Sequence, residues 1–199
     1  VTESEGNRIY GLDGRPPLEI YRELYGEKVE QEHFLFTRPL GHYTGTGEPK
    51  VIVPTHADAD DGSLLVGELP IEEGERLAIL DPSPEAVIEG AERAVDEAMT
   101  AAGGPDDIAA VLVFDCHTRW YHLSSSASRV DELAVVRDRV GDGVPIAGFY
   151  SYGEIATHNP LWEGDSSQSP LRKDAHDQSI VVQILTNEPL EVTDESGLS

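Results

Sequence analysis

Eight side chains in three short segments have the types needed to handle a small molecule. DCHTRW (115–120) carries Cys116 and Arg119. FYSYGEI (149–155) carries Tyr150, Ser151, Gly153 and Glu154, and AHDQ (175–178) carries His176 and Asp177. An arginine fork suits a carboxylate or phosphate, a glutamate accepts from an ammonium group, and a tyrosine walls the space between. That set matches a zwitterion. A second chemistry is nucleophilic: Cys116 as thiolate with His176 as base, oriented by Glu154 or Asp177. His117 is a poor base for it, because neighbours on a strand point to opposite faces, and the residue order matches no hydrolase motif. Each residue also has a plainer role. A lone cysteine at a strand end is commonly a small buried apolar group, Arg119 has many acids to pair with, and Glu154 can be a surface acid.

Metal chemistry finds little footing. His117, His122, His158 and His176 lack paired spacing, and the chain has neither H-E-x-x-H nor C-x-x-C. HADADDG (56–62) is similar to a calcium loop but lacks the distal glutamate, so a turn is expected there. GHYTGTGEP (41–49) neither follows a firm strand nor opens a helix, so it is no phosphate cradle. No cofactor is expected.

The elements that must position the eight residues follow from periodicity and turn chemistry. NRIYGL (7–12) reads as a strand, and Pro16 and Pro17 open a helix with Leu18, Tyr21, Leu24 and Tyr25 inward and Gly26 at its end. Phe34 to Phe36 can form a strand. Runs at 50–55, 63–68 and 75–80 are spaced for antiparallel hairpins, with Asp60, Asp61 and Gly62 turning the first pair. Ser83, Pro84 and Glu85 start a helix whose inner face is Ile88, Ala91, Val95, Ala98 and Ala102. AAVLVF (109–114) reads as a strand buried on both faces. A helix over about 128–140, with Val130, Leu133, Val136 and Val140 inward, leads to a strand at 144–150.

That β-α-β unit is a right-handed crossover between parallel neighbours. A polar loop fills 158–175, and a last strand at 179–185 pairs with 144–150. The fold class is α/β (α+β): a mixed sheet with early antiparallel hairpins, a later parallel unit and helices packed on it. Ligands bind beyond the carboxyl ends of parallel strands, and all eight residues converge at that edge. Residues 1–186 are expected to form the domain and 187–199 an acidic flexible tail.

There are 38 acidic and 14 basic residues in 199, a net charge of −24, and only Lys28, Lys50 and Lys173 as lysines. The acids are scattered rather than blocked, which fits a folded protein in a high-salt, halophilic cytoplasm where repulsion is screened. The charge and the lack of a basic stripe exclude nucleic acid as a partner. No apolar run is long enough for a membrane span. Cys116 alone excludes an internal disulfide and fits a reducing compartment. The chain opens on Val1, as a processed chain or a piece of a longer one does.

VLVFDCHTRW, a helix carrying Glu132, VPIAGFYSYGEI and AHDQSIVVQIL together resemble the C-terminal part of FIST domains (F-box and intracellular signal transduction proteins), and IYGLDGRPPLEIYRELYG resembles that domain's opening strand and helix. The resemblance covers about residues 7–185. It implies a sensory module, not an enzyme, that binds an amino acid or related metabolite and works beside a FIST N-terminal domain or a signalling partner; the acidic composition and lone cysteine add the expectation of an archaeal, cytoplasmic protein. By position it points to Cys116, Arg119, Gly148, Phe149, Tyr150, Gly153, Glu154 and His176. Asp177 stands where the family has asparagine, which removes two donors. A ligand-free interaction scaffold is the third expectation, beside the sensor and the cysteine enzyme.

Overall fold

A computed structural model describes residues 1–43, 49–67, 70–104, 108–123, 126–157 and 173–187, with the backbone alone for 126–128, 155–157 and 173–176. In chain order the elements are β1 (Glu3–Glu5), β2 (Arg8–Gly11), α1 (Pro17–Tyr25), β3 (Leu40–Tyr43), β4 (Lys50–Ile52), β5 (Pro54–Ala57), β6 (Leu64–Val66) and β7 (Arg76–Ile79). There follow α2 (Pro84–Ala101), β8 (Ile108–Cys116), α3 (His117–His122), α4 (Ser126–Val140), β9 (Ile146–Ser151), β10 (Glu154–Thr157), β11 (Lys173–His176) and β12 (Ile180–Thr186). The fold is α+β, and among the described residues its strands form four small sheets rather than one.

Two sheets make the first region, with strand orders β1-β2-β6-β5 and β4-β3-β7. They enclose a core of Ile9, Leu18, Tyr21, Leu40, Ile52 and Leu64. The hairpin between β5 and β6 is as expected, and its acidic turn is closed by Asp58 and Asp61 side chains accepting backbone N–H groups. Four expectations change here, the first being Leu24 of α1, which faces solvent rather than the core. The run at 50–55 divides at Val53, giving one strand to each sheet. The run at 75–80 pairs with β3, not with its sequence neighbour. Phe34–Thr37 is a 3-10 turn, entered through His33 in the left-handed region (φ 64°).

The second region is built on β8, the centre of the sheet β12-β8-β9. The β8–β9 pair is parallel, from Val111 opposite Ile146 to Cys116 opposite Ser151. The last strand, β12, pairs antiparallel with β8 rather than with β9, starting at Ile180 opposite Asp115. Its beginning still reaches the expected edge, because β8 ends there too. Ser83 caps α2 by accepting the Ala86 N–H at 3.2 Å. The core is valine-rich: Val95, Val111, Val113, Val136 and Val140.

Two burial expectations fail in this region. Val130 and Leu133 of α4 are exposed (66% and 48%), while Glu132 is fully buried. The inward stripe is Glu132, Val136 and Val140, spaced by four; the glutamate turns inward because a guanidinium waits there. β8 likewise alternates instead of being buried throughout. Val111, Val113 and Asp115 face the covered side; Leu112 and Phe114 are half-buried on the other, with Phe149 edge-on to Phe114 at 5.2 Å. The loop expected over 158–175 ends in strand β11, paired with β10 from Glu154 opposite His176 to Thr157 opposite Lys173. Its stretch 158–172, with His158, and the tail from 188 lie outside the described residues.

Candidate functional site

Strand parity divides the site between two faces. Asp115 continues the Val111–Val113 row and so faces the helices; Cys116 faces away. The chain turns straight into α3, and Arg119 reaches back under the sheet. Its Nε–H bonds Glu132 Oε1 at 3.1 Å, Nη2 bonds the same oxygen and the Val87 carbonyl (2.9 Å), and Nη1 bonds the Gln178 carbonyl (3.4 Å). One buried guanidinium thus joins α2, α4 and the turn before β12. Asp115 Oδ1 lies 2.9 Å from Nε, an ion pair by distance but not a hydrogen bond, since that N–H is aimed at Glu132. Among the described residues both Asp115 oxygens and Glu132 Oε2 lack a hydrogen-bond partner.

Glu154 is the centre of the other face. It is 4% exposed and accepts from Ser151 Oγ at 2.6 Å and Ser179 Oγ at 2.9 Å. Burial pushes its carboxyl up, opposed by the serine hydrogen bonds. Gly153 precedes it with φ +87°, a left-handed corner that turns Glu154 back toward Ser151. Gly148 is a close approach: a Cβ there would stand 1.9 Å from the Val113 carbonyl oxygen. Cys116 Sγ lies 3.0 Å from Thr118 Oγ1, and burial pushes its thiol up.

The 176–179 turn joins the two regions. Asp177 accepts the Val53 N–H at 2.9 Å, at the point where β4 and β5 part. An asparagine oxygen can make that bond too, so the two lost donors are not missed at this contact. Gln178, in the left-handed region (φ 54°), donates to the Phe36 carbonyl, and its Oε1 lies 3.2 Å from His122 Nε2. Burial holds the His122 ring below the usual histidine range, so it is neutral at pH 7 and donates that hydrogen.

Above these networks lies an aromatic shelf. The His117 ring has Tyr152 at 5.1 Å, Tyr121 at 5.4 Å, Trp120 at 5.7 Å and Tyr150 at 6.0 Å. The Arg129 guanidinium sits 3.6 Å over Trp120. Tyr152 is the most open ring, at 78% exposed. Burial, then the charges of Asp115 and Glu132, push the Tyr150 phenol up.

The eight expected residues meet at one edge but in separate surroundings. Cys116, Ser151 and Glu154 share one face. Arg119 and Tyr150 belong to the Asp115 face, and Asp177 turns to the first region. His176 stands opposite Glu154 by register. Asp115, His122, Gln178 and Ser179 were missed. Parity with Val111 and Val113 signals Asp115; nothing in the sequence signals the others. Also unforeseen is a groove of about 420 Å³ in the first region, lined by Leu18, Val29, His33, Phe36, His56 and Ala57 among others. Among the described residues no three of His, Cys, Asp and Glu converge as a metal would need, and no helix is long and apolar enough to cross a membrane.

A family model, described as the FIST C domain, matches residues 17–157. An uncharacterised protein of Mycobacterium tuberculosis is 28% identical over 173 residues, covering 81% of this chain and 44% of the relative. An uncharacterised protein of Mycobacterium bovis is 26% identical over 164 residues, covering 78% of this chain and 41% of the relative. The chain therefore spans less than half the length of these curated relatives. No solved structure matches it.

Proposed function

The chain belongs to the FIST C domain family, a signal-transduction family, and from that premise we propose that it is a sensory domain reading a small ligand with an ammonium group, such as an amino acid. The observation that carries this reading is the bridge through Glu154. Ser151 from the end of β9 and Ser179 from the start of β12 both donate to it. A ligand ammonium that displaces either serine releases one strand end from the other, which turns binding into movement.

In this reading the ligand lies across the ends of β8 and β9, with Tyr150 as wall, Gly153 leaving room, and Cys116, Ser151, His176 and Asp177 as rim. Arg119 contributes through the acids and carbonyls that hold it. The partner is a FIST N-terminal domain or another signalling protein, and the compartment is a salt-rich cytoplasm. Thermal unfolding with a panel of amino acids and organic acids, in molar salt, tests it. A binder at 100 times its Kd adds about 2.7 kcal/mol, and Glu154→Gln removes the gain. A panel with no binder, or a gain that survives Glu154→Gln, sinks the reading.

The closure of Glu154 within the protein favours one alternative, an interaction scaffold without ligand. Glu154→Gln then lowers stability and changes no ligand response. The cysteine enzyme draws no support from Cys116, whose thiol is pushed away from the thiolate a nucleophile needs.

A further inference from the structure

Asp115 and Glu132 are two carboxyls set against one guanidinium, and both are buried, at 4% and 0% exposure. Three of their four oxygens have no donor among the described residues. A buried carboxylate oxygen without a donor is costly, and two adjacent carboxylates repel. Four of the five Arg119 N–H groups go to Glu132 Oε1 and to the carbonyls of Val87 and Gln178, and none of these four reaches the three unsatisfied oxygens. The two carboxyls converge on one nitrogen: Asp115 Oδ1 lies 2.9 Å and Glu132 Oε1 3.1 Å from Arg119 Nε. One O–H between them would satisfy an oxygen on each side and remove a buried negative charge in the same step.

We propose that Asp115 and Glu132 share one proton in the folded protein, forming an acid–carboxylate pair over Arg119, and that losing this proton loosens the junction of β8, α4 and the 176–179 turn. With the proton the cluster holds one carboxylate and one guanidinium and is neutral. Without it a surplus negative charge is buried. Among the described residues the charged or titratable groups around the pair include Arg119 and His122 from α3, Arg129 from α4, Tyr150 from β9 and Glu154 from β10, while α2 and the turn present the Val87 and Gln178 carbonyls to Arg119. Arg129 lies over Trp120 and its Nε has no hydrogen-bond partner among the described residues, so it satisfies neither carboxyl, and Glu154 adds negative charge. Burial first, then the Glu132 charge, pushes Asp115 up to about 8.

The sign follows. The unfolded chain releases this proton near pH 3.9, a normal aspartate value, while the fold retains it to about 8. The pair's stabilisation is therefore complete below about pH 4 and declines as pH rises toward about 8.

The test compares urea unfolding of the wild type and Asp115→Asn from about pH 5 to about pH 9, in molar KCl so that surface charges are screened. Asparagine keeps the shape, donates an N–H to Glu132 and does not titrate. The wild type should lose up to about tenfold in folding constant per pH unit below the transition, and Asp115→Asn should lose markedly less. Parallel profiles overturn the proposal. Difference infrared spectroscopy of the wild type needs no variant to fold. A protonated-carboxyl stretch present at about pH 6.5 and bleached by about pH 9 is expected; its absence at the lower pH overturns the proposal equally.

Discussion

The two regions solve the same problem with different materials. The first buries Ile, Leu and Tyr side chains, and its one buried phenol, Tyr21, donates to the Arg38 carbonyl at 2.7 Å. The second has a smaller, valine-based core and spends its interior on Arg119, Asp115, Glu132, His122 and Glu154. Apolar packing tolerates exchange at constant volume. A buried ionic network tolerates almost none, because each member satisfies others and a missing partner leaves charge stranded. The region that carries most of the expected site residues is thus the one whose integrity depends on direction rather than volume.

Arg119→Ala gives the largest break. It strands two buried carboxyls and frees α2 and α4 from the 176–179 turn, so a loss of about 3–5 kcal/mol is expected in urea unfolding at pH 7. A loss under about 1 kcal/mol would mean that the network is not structural. Leu64→Ala in the first core should cost about 2–5 kcal/mol. Because the regions are joined through Asp177 and Gln178, both variants should unfold in a single transition; a biphasic curve separates the regions thermodynamically.

His122 gives a smaller effect. Its folded pKa lies below the unfolded value, so its contribution is present above about pH 6.5 and falls as pH drops below it. His122→Asn should flatten the acid side of the stability profile by up to about 1.4 kcal/mol per pH unit. This slope is opposite to that of the carboxyl pair, and an unchanged acid limb would remove His122 from the network. Leu133→Lys on the exposed face of α4 should change stability by no more than about 0.5 kcal/mol. A larger loss would show that this face is covered in solution.

Much of the architecture was readable because it rests on local rules. Ser83, Pro84 and Glu85 mark the start of α2, Gly153 marks a corner, and the apolar runs mark β8, β9 and β12. The parallel β8–β9 pair followed from crossover geometry. The failures share a cause: each was decided by a partner distant in sequence. Val130 and Leu133 look inward by composition, but Glu132 is drawn in by Arg119. The run at 50–55 looks like one strand, yet Val53 bonds Asp177, 124 residues away. The residues of the site were recognisable by type. Their division between two faces was not, because it depends on which strand β12 joins.

The parting of β4 from β5 has a mechanical result. A single polypeptide stretch feeds two sheets, so the backbone at Val53 is common to both, and its N–H is held from outside by Asp177. Asp177 sits on the same tight turn that touches Arg119 and His122. The joint shared by the two sheets is therefore fastened to the same few residues that fasten the buried ionic cluster.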